Sequence, residues 1–330
     1  MVIVQSLKKI FKSKSMSLVL VSAVIVVFFY FSNHNYLSGD NIKGIMNSMS
    51  ISAIIGVGMA FLLMGGGINL GAAAEGCFGA VIVSLLMRGG LAWPFALILG
   101  LLFGVCAGAI NSFFINKLNF MPFIATLGMA SVYAGLSLVF TKNNSIPISN
   151  QAYWLLGSTS VFNFFPMPFV IMVCLVVIYG FVLAKTRFGR SVLMCGGNRA
   201  AARLAGLSPD RINTILYMNC GMLSTLAGCV YAARMHAMSP SAMSSGTIDA
   251  ITSSVLGGVS FMGGGGSVAG MFFGALLLNV FSNGLIVIGM DAYWQLVLQG
   301  AVLIIALCVD FYSSKVKAAS LKRASMRNAV

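Results

Sequence analysis

Continuous apolar runs of about membrane-spanning length recur throughout this chain, and they limit its possible folds more than any other feature. A helix crossing a bilayer needs about 20 residues, with a range of roughly 17–25. Ten segments approach or meet that length, at 16–32, 44–64, 68–87, 91–115, 121–140, 166–184, 212–233, 248–262, 268–289 and 292–312, of which 248–262 is the shortest. Backbone in lipid must satisfy its own hydrogen bonds, which leaves helices or closed barrels. The runs are continuous and do not alternate, so they predict helices. Composition agrees: 59% of residues are apolar and 8% charged, against roughly 25% charged in soluble domains. The expected fold is all-α, a polytopic membrane protein of about ten transmembrane helices forming one domain over residues 1–330.

Charge orients these spans. The formal charge of +14 could point to nucleic acid, but the basic residues sit in loops and at the termini, where positive charge fixes membrane orientation. With a cytosolic N-terminus and ten crossings, Lys8, Lys9, Lys12, Lys14, Lys117, the six basic residues of 185–211, and Lys315, Lys317, Lys322, Arg323 and Arg327 all fall inside. Only Lys43, Arg88, Lys142 and Arg234 fall outside. Removing one span would put part of this set on the wrong side, so both termini are expected in the cytosol. The basic start followed by Met16–Phe31 has the outline of a signal peptide. Phe-Ser-Asn-His-Asn follows in place of a small-residue cleavage site, so it reads as an uncleaved first span.

The longest polar break is 185–211, with six Lys and Arg in 27 residues and one carboxylate, Asp210. Within it Asn198 can cap a short helix that begins Arg199-Ala-Ala-Ala-Arg203-Leu204 and stops at Gly206. Ser208 and Pro209 then start the next helix. A short capped basic helix between two spans is a handle for another protein to push. The largest outer loop is 141–165, long enough for a binding role. Trp93, Trp154 and Trp294 lie near the predicted interfaces, where indole rings anchor helices.

No Gly-x-x-x-x-Gly-Lys-Ser/Thr motif occurs, so the chain carries no recognisable P-loop. No catalytic triad or carboxylate pair is visible among six acidic residues, so no catalytic residue is assigned. The seven cysteines lack metal-ligand spacing and read as small buried residues. With His34 and His236 far apart, neither a metal nor a cofactor is expected. Glycine runs at Gly65–Gly67 and Gly263–Gly266 follow apolar segments. They either pack helices closely, as Gly100, Gly104, Gly108, Gly270 and Gly274 do by their spacing, or break helices beside a solute path. Asp249 falls in the first turn of its helix, where a carboxylate complements the helix dipole. Glu75, the one glutamate, falls mid-span, where an ionisable group is costly and usually functional. Asn69, Asn111, Asn279 and Gln295 are further in-span amides. With Glu75 they form the candidate set for a pathway that a hydroxyl-rich solute could follow, although each alone can equally glue helices together.

Three segments carry a resemblance: Phe123-Ile-Ala-Thr-Leu-Gly128; Thr186-Arg-Phe-Gly-Arg190 leading to Gly196-Gly-Asn-Arg-Ala-Ala-Ala-Arg-Leu-Ala-Gly206; and Asp249 through Gly263-Gly-Gly-Gly-Ser267. In this order and spacing they resemble the membrane permeases of bacterial ABC importers for ribose, galactose and related monosaccharides, over nearly the whole chain. The resemblance implies a multi-pass protein of the bacterial cytoplasmic membrane that pairs with a second permease subunit, identical or not. It also implies ATP-binding subunits that hydrolyse ATP, an extracytoplasmic solute-binding protein, and no enzymatic activity in this chain. The 198–206 helix matches the family's coupling segment, which gives Gly197, Asn198, Arg199, Arg203, Leu204 and Leu207 to the ATPase contact. Where the sugar permeases read Gly-Gly-Ile-Asp-Leu-Ser-Val-Gly, this chain has Gly66-Gly-Ile-Asn-Leu-Gly-Ala-Ala73 with Glu75 shortly after. That is closer to permeases for nucleosides and branched-chain amino acids. The expected function is therefore ATP-driven import of a monosaccharide or similar small polar solute, with import of a nucleoside or other small polar solute as the alternative. An ion-coupled secondary transporter would rest on Glu75 alone, and a membrane enzyme lacks catalytic residues.

Overall fold

The computed structural model describes residues 14–327, and Lys8, Lys9 and Lys12 of the expected inner charge lie outside them. All ten expected spans contain a helix: α1 (Lys14–Ser32), α2 (Gly39–Met64), α3 (Ala72–Arg88), α4 (Trp93–Asn116), α5 (Pro122–Thr141), α7 (Met167–Lys185), α10 (Pro209–Met235), α11 (Gly246–Leu256), α12 (Val268–Val287) and α13 (Ala292–Arg327). Short helices α6 (Gln151–Ser158), α8 (Arg187–Gly197) and α9 (Arg199–Leu204) complete the α set, with a 3₁₀ turn at His34–Leu37. Proline stands in the first turn of α4, α5, α7 and α10, where its missing N–H costs nothing and its fixed φ favours the helix.

Among the described residues, six helices (α2, α4, α5, α7, α10 and α12) are each long and apolar enough to cross a membrane alone. The departures from simple spans are physical. α3 has 17 residues because Gly65–Gly71 runs as turn and loop before it. α11 has 11 residues, about 16 Å at 1.5 Å per residue, roughly half a hydrocarbon core. The predicted 248–262 run ends as helix at Leu256, and glycine turns continue it to Ser267. α13 continues well past 312.

Loop contacts gather at two opposite ends of the bundle. At one end the 141–165 segment is folded. β1 (Ile146–Pro147) pairs antiparallel with β4 (Ala237–Met238), and β2 (Ser160–Val161) with β3 (Phe165–Pro166). α6 is tied to α10 by the Tyr153 hydroxyl donating to the Cys229 carbonyl at 2.8 Å, and Trp154 stacks on His236 with ring centroids 4.1 Å apart. We call this the strand end. At the other, glycine end, the loops after α2, α8 and α11 meet.

α10 is the central post, packed on α2, α3 and α4. Its crossing with α4 is backbone on backbone: a Cβ at Gly104 would strike the Gly221 carbonyl, and one at Gly221 would strike the Gly104 carbonyl. Close approach through small residues substitutes for the hydrophobic drive that helices lack in lipid, and the predicted packing role of Gly100, Gly104, Gly108, Gly270 and Gly274 holds. The cysteines divide. Cys77, Cys195, Cys220 and Cys229 are buried as expected, whereas Cys106, Cys174 and Cys308 are exposed on the outer faces of their helices.

Candidate functional site

The predicted coupling segment is built as its sequence requires. The Asn198 side chain accepts from the Ala201 N–H at 3.0 Å and starts α9. The helix ends with Leu207 N–H on the Ala202 carbonyl and Gly206 N–H on the Arg203 carbonyl, both 3.0 Å, with Gly206 at φ +80°. That pair is the glycine-stopped end that leaves few carbonyls unpaired. α10 follows with Ser208 at its cap position and Pro209 first in the helix; the Ser208 side chain makes no cap bond. Arg199 and Arg203 are exposed, and Arg203 pairs with Asp210 at 3.2 Å on the surface. Leu204 is 92% exposed, an apolar side chain open to solvent. Leu207 packs against the main core and Gly197 lies close to Gly264, so the base of α9 is anchored while its tip is free. Burial pushes the Cys195 thiol up beneath this segment, although the Arg199 charge opposes the shift.

The two glycine runs do break helices, and they meet each other. Gly264 N–H donates to the Met64 carbonyl at 2.9 Å. A Cβ at Gly196 would overlap that carbonyl and stand 2.7 Å from Gly264 N. Gly66, at φ +77°, faces Gly196 across the same gap. Three segments distant in sequence therefore close on one another through bare backbone directly behind α9.

Asn69, Glu75 and Asn111 come together, each fully buried. Asn69 Nδ2 donates to Glu75 Oε2 at 3.0 Å, Asn111 Nδ2 donates to Glu75 Oε1, and Asn69 Oδ1 accepts from Gly71 N–H at 2.9 Å. The carboxylate thus ties the loop before α3 to α4. The Tyr217 hydroxyl on the Ile68 carbonyl and the Thr126 hydroxyl under Leu70 N–H hold the same loop from α10 and α5. The unusual Asn69 and Glu75 are partners of each other, closed off from any open surface. Gln295 lies apart from all of these, half-buried near the start of α13.

Asn279 stands elsewhere, donating to Ser52 Oγ at 3.1 Å. It lines a polar cavity of about 190 Å³ between α2, α10, α11 and α12, with Ser48, Ser52, Tyr231, Arg234 and Asp249. The sequence reading missed this constellation. Arg234 counted only as outer charge and Asp249 only as a helix-dipole residue, and the contributing segments lie too far apart in sequence to signal one another. A larger groove of about 520 Å³ runs between α3, α5 and the segment entering α11, with Ala74, Leu127, Ser131 and Ser244 on its walls.

Residues 41–307 match the family described as branched-chain amino acid transport system permease components. The chain is 35% identical over 289 residues to the ribose import permease protein of Bacillus subtilis, covering 87% of this chain and 89% of that one. It is 32% identical to the fructose import permease protein of Rhizobium meliloti, covering 86% of this chain and 81% of that one. For the L-arabinose transport system permease protein of Escherichia coli K12 the identity is 31%, with 86% of each chain covered. No solved structure matches the chain.

Proposed function

Because this chain belongs to the family of branched-chain amino acid transport system permease components, we propose that it is the membrane permease subunit of an ABC importer whose solute is a monosaccharide. One observation carries the substrate class: relatives aligned over more than four-fifths of the chain are named for import of ribose and fructose and for transport of L-arabinose. The Asn69–Glu75 departure does not count against a sugar, because those side chains bond each other in the interior. Their proposed role is to brace the broken helix before α3, with Asn111 as the third member. No specific contact favours a nucleoside.

Permeases of this class work with ATP-binding and solute-binding proteins. The α9 tip, with Arg199, Arg203 and an exposed Leu204, is the proposed seat for the ATP-binding subunit, which places the glycine end in the cytosol. The strand end then faces outward toward the binding protein, and ten segments pass between the two ends, α11 completed by its glycine turn. The groove along α5 is the proposed face toward a second permease subunit.

The test is uptake. Cells lacking this chain should lose accumulation of one of radiolabelled ribose, fructose, allose or arabinose, and regain it with the wild-type chain. Unchanged uptake of all four sugars would refute the monosaccharide reading.

A further inference from the structure

We propose that the cavity between α2, α10, α11 and α12 is a monosaccharide subsite contained within one permease subunit, an inference that rests on the import reading above. Size fits first. A water needs about 10–15 Å³ of such space, so a cavity of about 190 Å³ takes roughly a dozen water-sized groups, the bulk of one pentose or hexose ring.

The walls fit next. Ser48, Ser52, Tyr231, Arg234, Asp249 and Asn279 supply hydroxyl, guanidinium, carboxylate and amide groups from four helices. Sugar hydroxyls both donate and accept, so they need acceptors and donors around one volume, and these side chains provide both. Part of the bonding capacity here is unspent, although Ser245 bonds the Asp249 carboxylate. Asp249 Oδ1 is buried with no hydrogen-bond partner. Among the described residues the one ion pair joins Arg203 to Asp210, so Arg234 and Asp249 share this cavity without touching. A buried carboxylate oxygen left unpaired is costly, and one solute hydroxyl donating to Asp249 while another accepts from Arg234 removes that cost. Asn279 is held in place by its bonds to Ser52 and to the Ala275 carbonyl at 2.9 Å, and its Oδ1 stays free for a solute donor. The cavity also adjoins the strand end: Arg234 precedes the His236 turn and β4. A solute released at that end meets these groups before it reaches the glycine junction.

A cation is disfavoured, since the one carboxylate on the wall, Asp249, shares it with the Arg234 guanidinium. A zwitterionic amino acid is the competing occupant, because opposite charges face it across the same volume.

The experiment uses the permease assembled with its own ATP-binding and solute-binding partners in proteoliposomes. Ser245, beside Asp249, is replaced as Ser245→Cys, and its rate of maleimide labelling is measured against wild type, whose exposed Cys106, Cys174 and Cys308 set the background. The transported sugar among ribose, fructose, allose and arabinose should slow labelling at least threefold at saturation, and leucine should not. Adding Asp249→Asn should abolish that protection, and Asp249→Asn or Arg234→Gln alone should cut uptake about tenfold per permease in the membrane. Absence of sugar protection in a transporting Ser245→Cys complex overturns the proposal, as does protection by leucine in place of sugar, or wild-type uptake in both Asp249→Asn and Arg234→Gln. A wild-type complex that transports none of the four sugars overturns the import reading itself, so the two failures are distinct.

Discussion

Gly196→Ala puts the smallest possible side chain into the junction behind α9. Its β-carbon would overlap the Met64 carbonyl oxygen and lie 2.7 Å from Gly264 N. The obstructing atoms are backbone of two other segments, so no rotamer change relieves the clash. Overpacking of this kind costs about 1–3 kcal/mol. Separating the segments also breaks the Gly264 N–H to Met64 carbonyl bond of 2.9 Å, and an unpaired buried group costs about 1–3 kcal/mol more. The sum, about 2–6 kcal/mol, falls where the loops after α2 and α11 meet the coupling segment. Gly180→Ala in α7 is the control. No atom lies within 4 Å of its Cβ position, and alanine in a helix interior gains about 0.5–1 kcal/mol over glycine. Melting of the two purified variants in one detergent, with ATP-driven uptake per permease in the membrane, reads the difference. Gly196→Ala should melt well below wild type and transport poorly, and Gly180→Ala should match or exceed wild type. If Gly196→Ala melts and transports as wild type does, the three glycine segments are not in backbone contact and the argument fails.

Three other outcomes follow from the same geometry. Glu75→Gln should keep most folded protein, because an amide can still bond Asn69 and Asn111 once they reorient. Glu75→Leu leaves two buried amides without an acceptor, at about 1–3 kcal/mol each, and should sharply reduce the amount extracted as monodisperse protein; equal yields of both variants would remove the brace. Leu204→Asp should leave melting unchanged, since the side chain is 92% exposed, yet abolish co-purification of the ATP-binding subunit; normal association would move the coupling contact elsewhere. Single cysteines at Asn144 and Ser241 should react with an impermeant thiol reagent from outside intact cells, and one at Ser191 only after the membrane is opened; outside labelling of Ser191 would reverse the orientation.

The sequence showed most wherever the deciding physics is local. Apolar run length located a helix in every expected span, and proline in the first turn marked the starts of α4, α5, α7 and α10. Asn198 and Gly206 bound α9 through bonds no more than five residues long, so this helix could be drawn to the residue. Glu75 was conspicuous because a carboxylate within an apolar span is rare, but its use depends on what faces it. With only the sequence, a path-lining group and an interior brace look alike. Asn69 and Asn111 on its two oxygens are the observation behind the proposed brace. The glycine runs were visible as helix breaks, and nothing local revealed that Gly66, Gly196 and Gly264 stop one another. The polar cavity was invisible for the same reason, since Ser52 and Asn279 stand 227 residues apart.

By itself the sequence determined that this chain is a helical membrane protein with a short capped basic helix between two spans, because hydrophobic length, caps and turn residues act over a few neighbouring positions. Only the tertiary structure decided which polar groups bond one another in the interior and which line a cavity. That distinction depends on whether each donor and acceptor finds a partner across the bundle, and such partners come from segments whose spacing along the chain carries no signal.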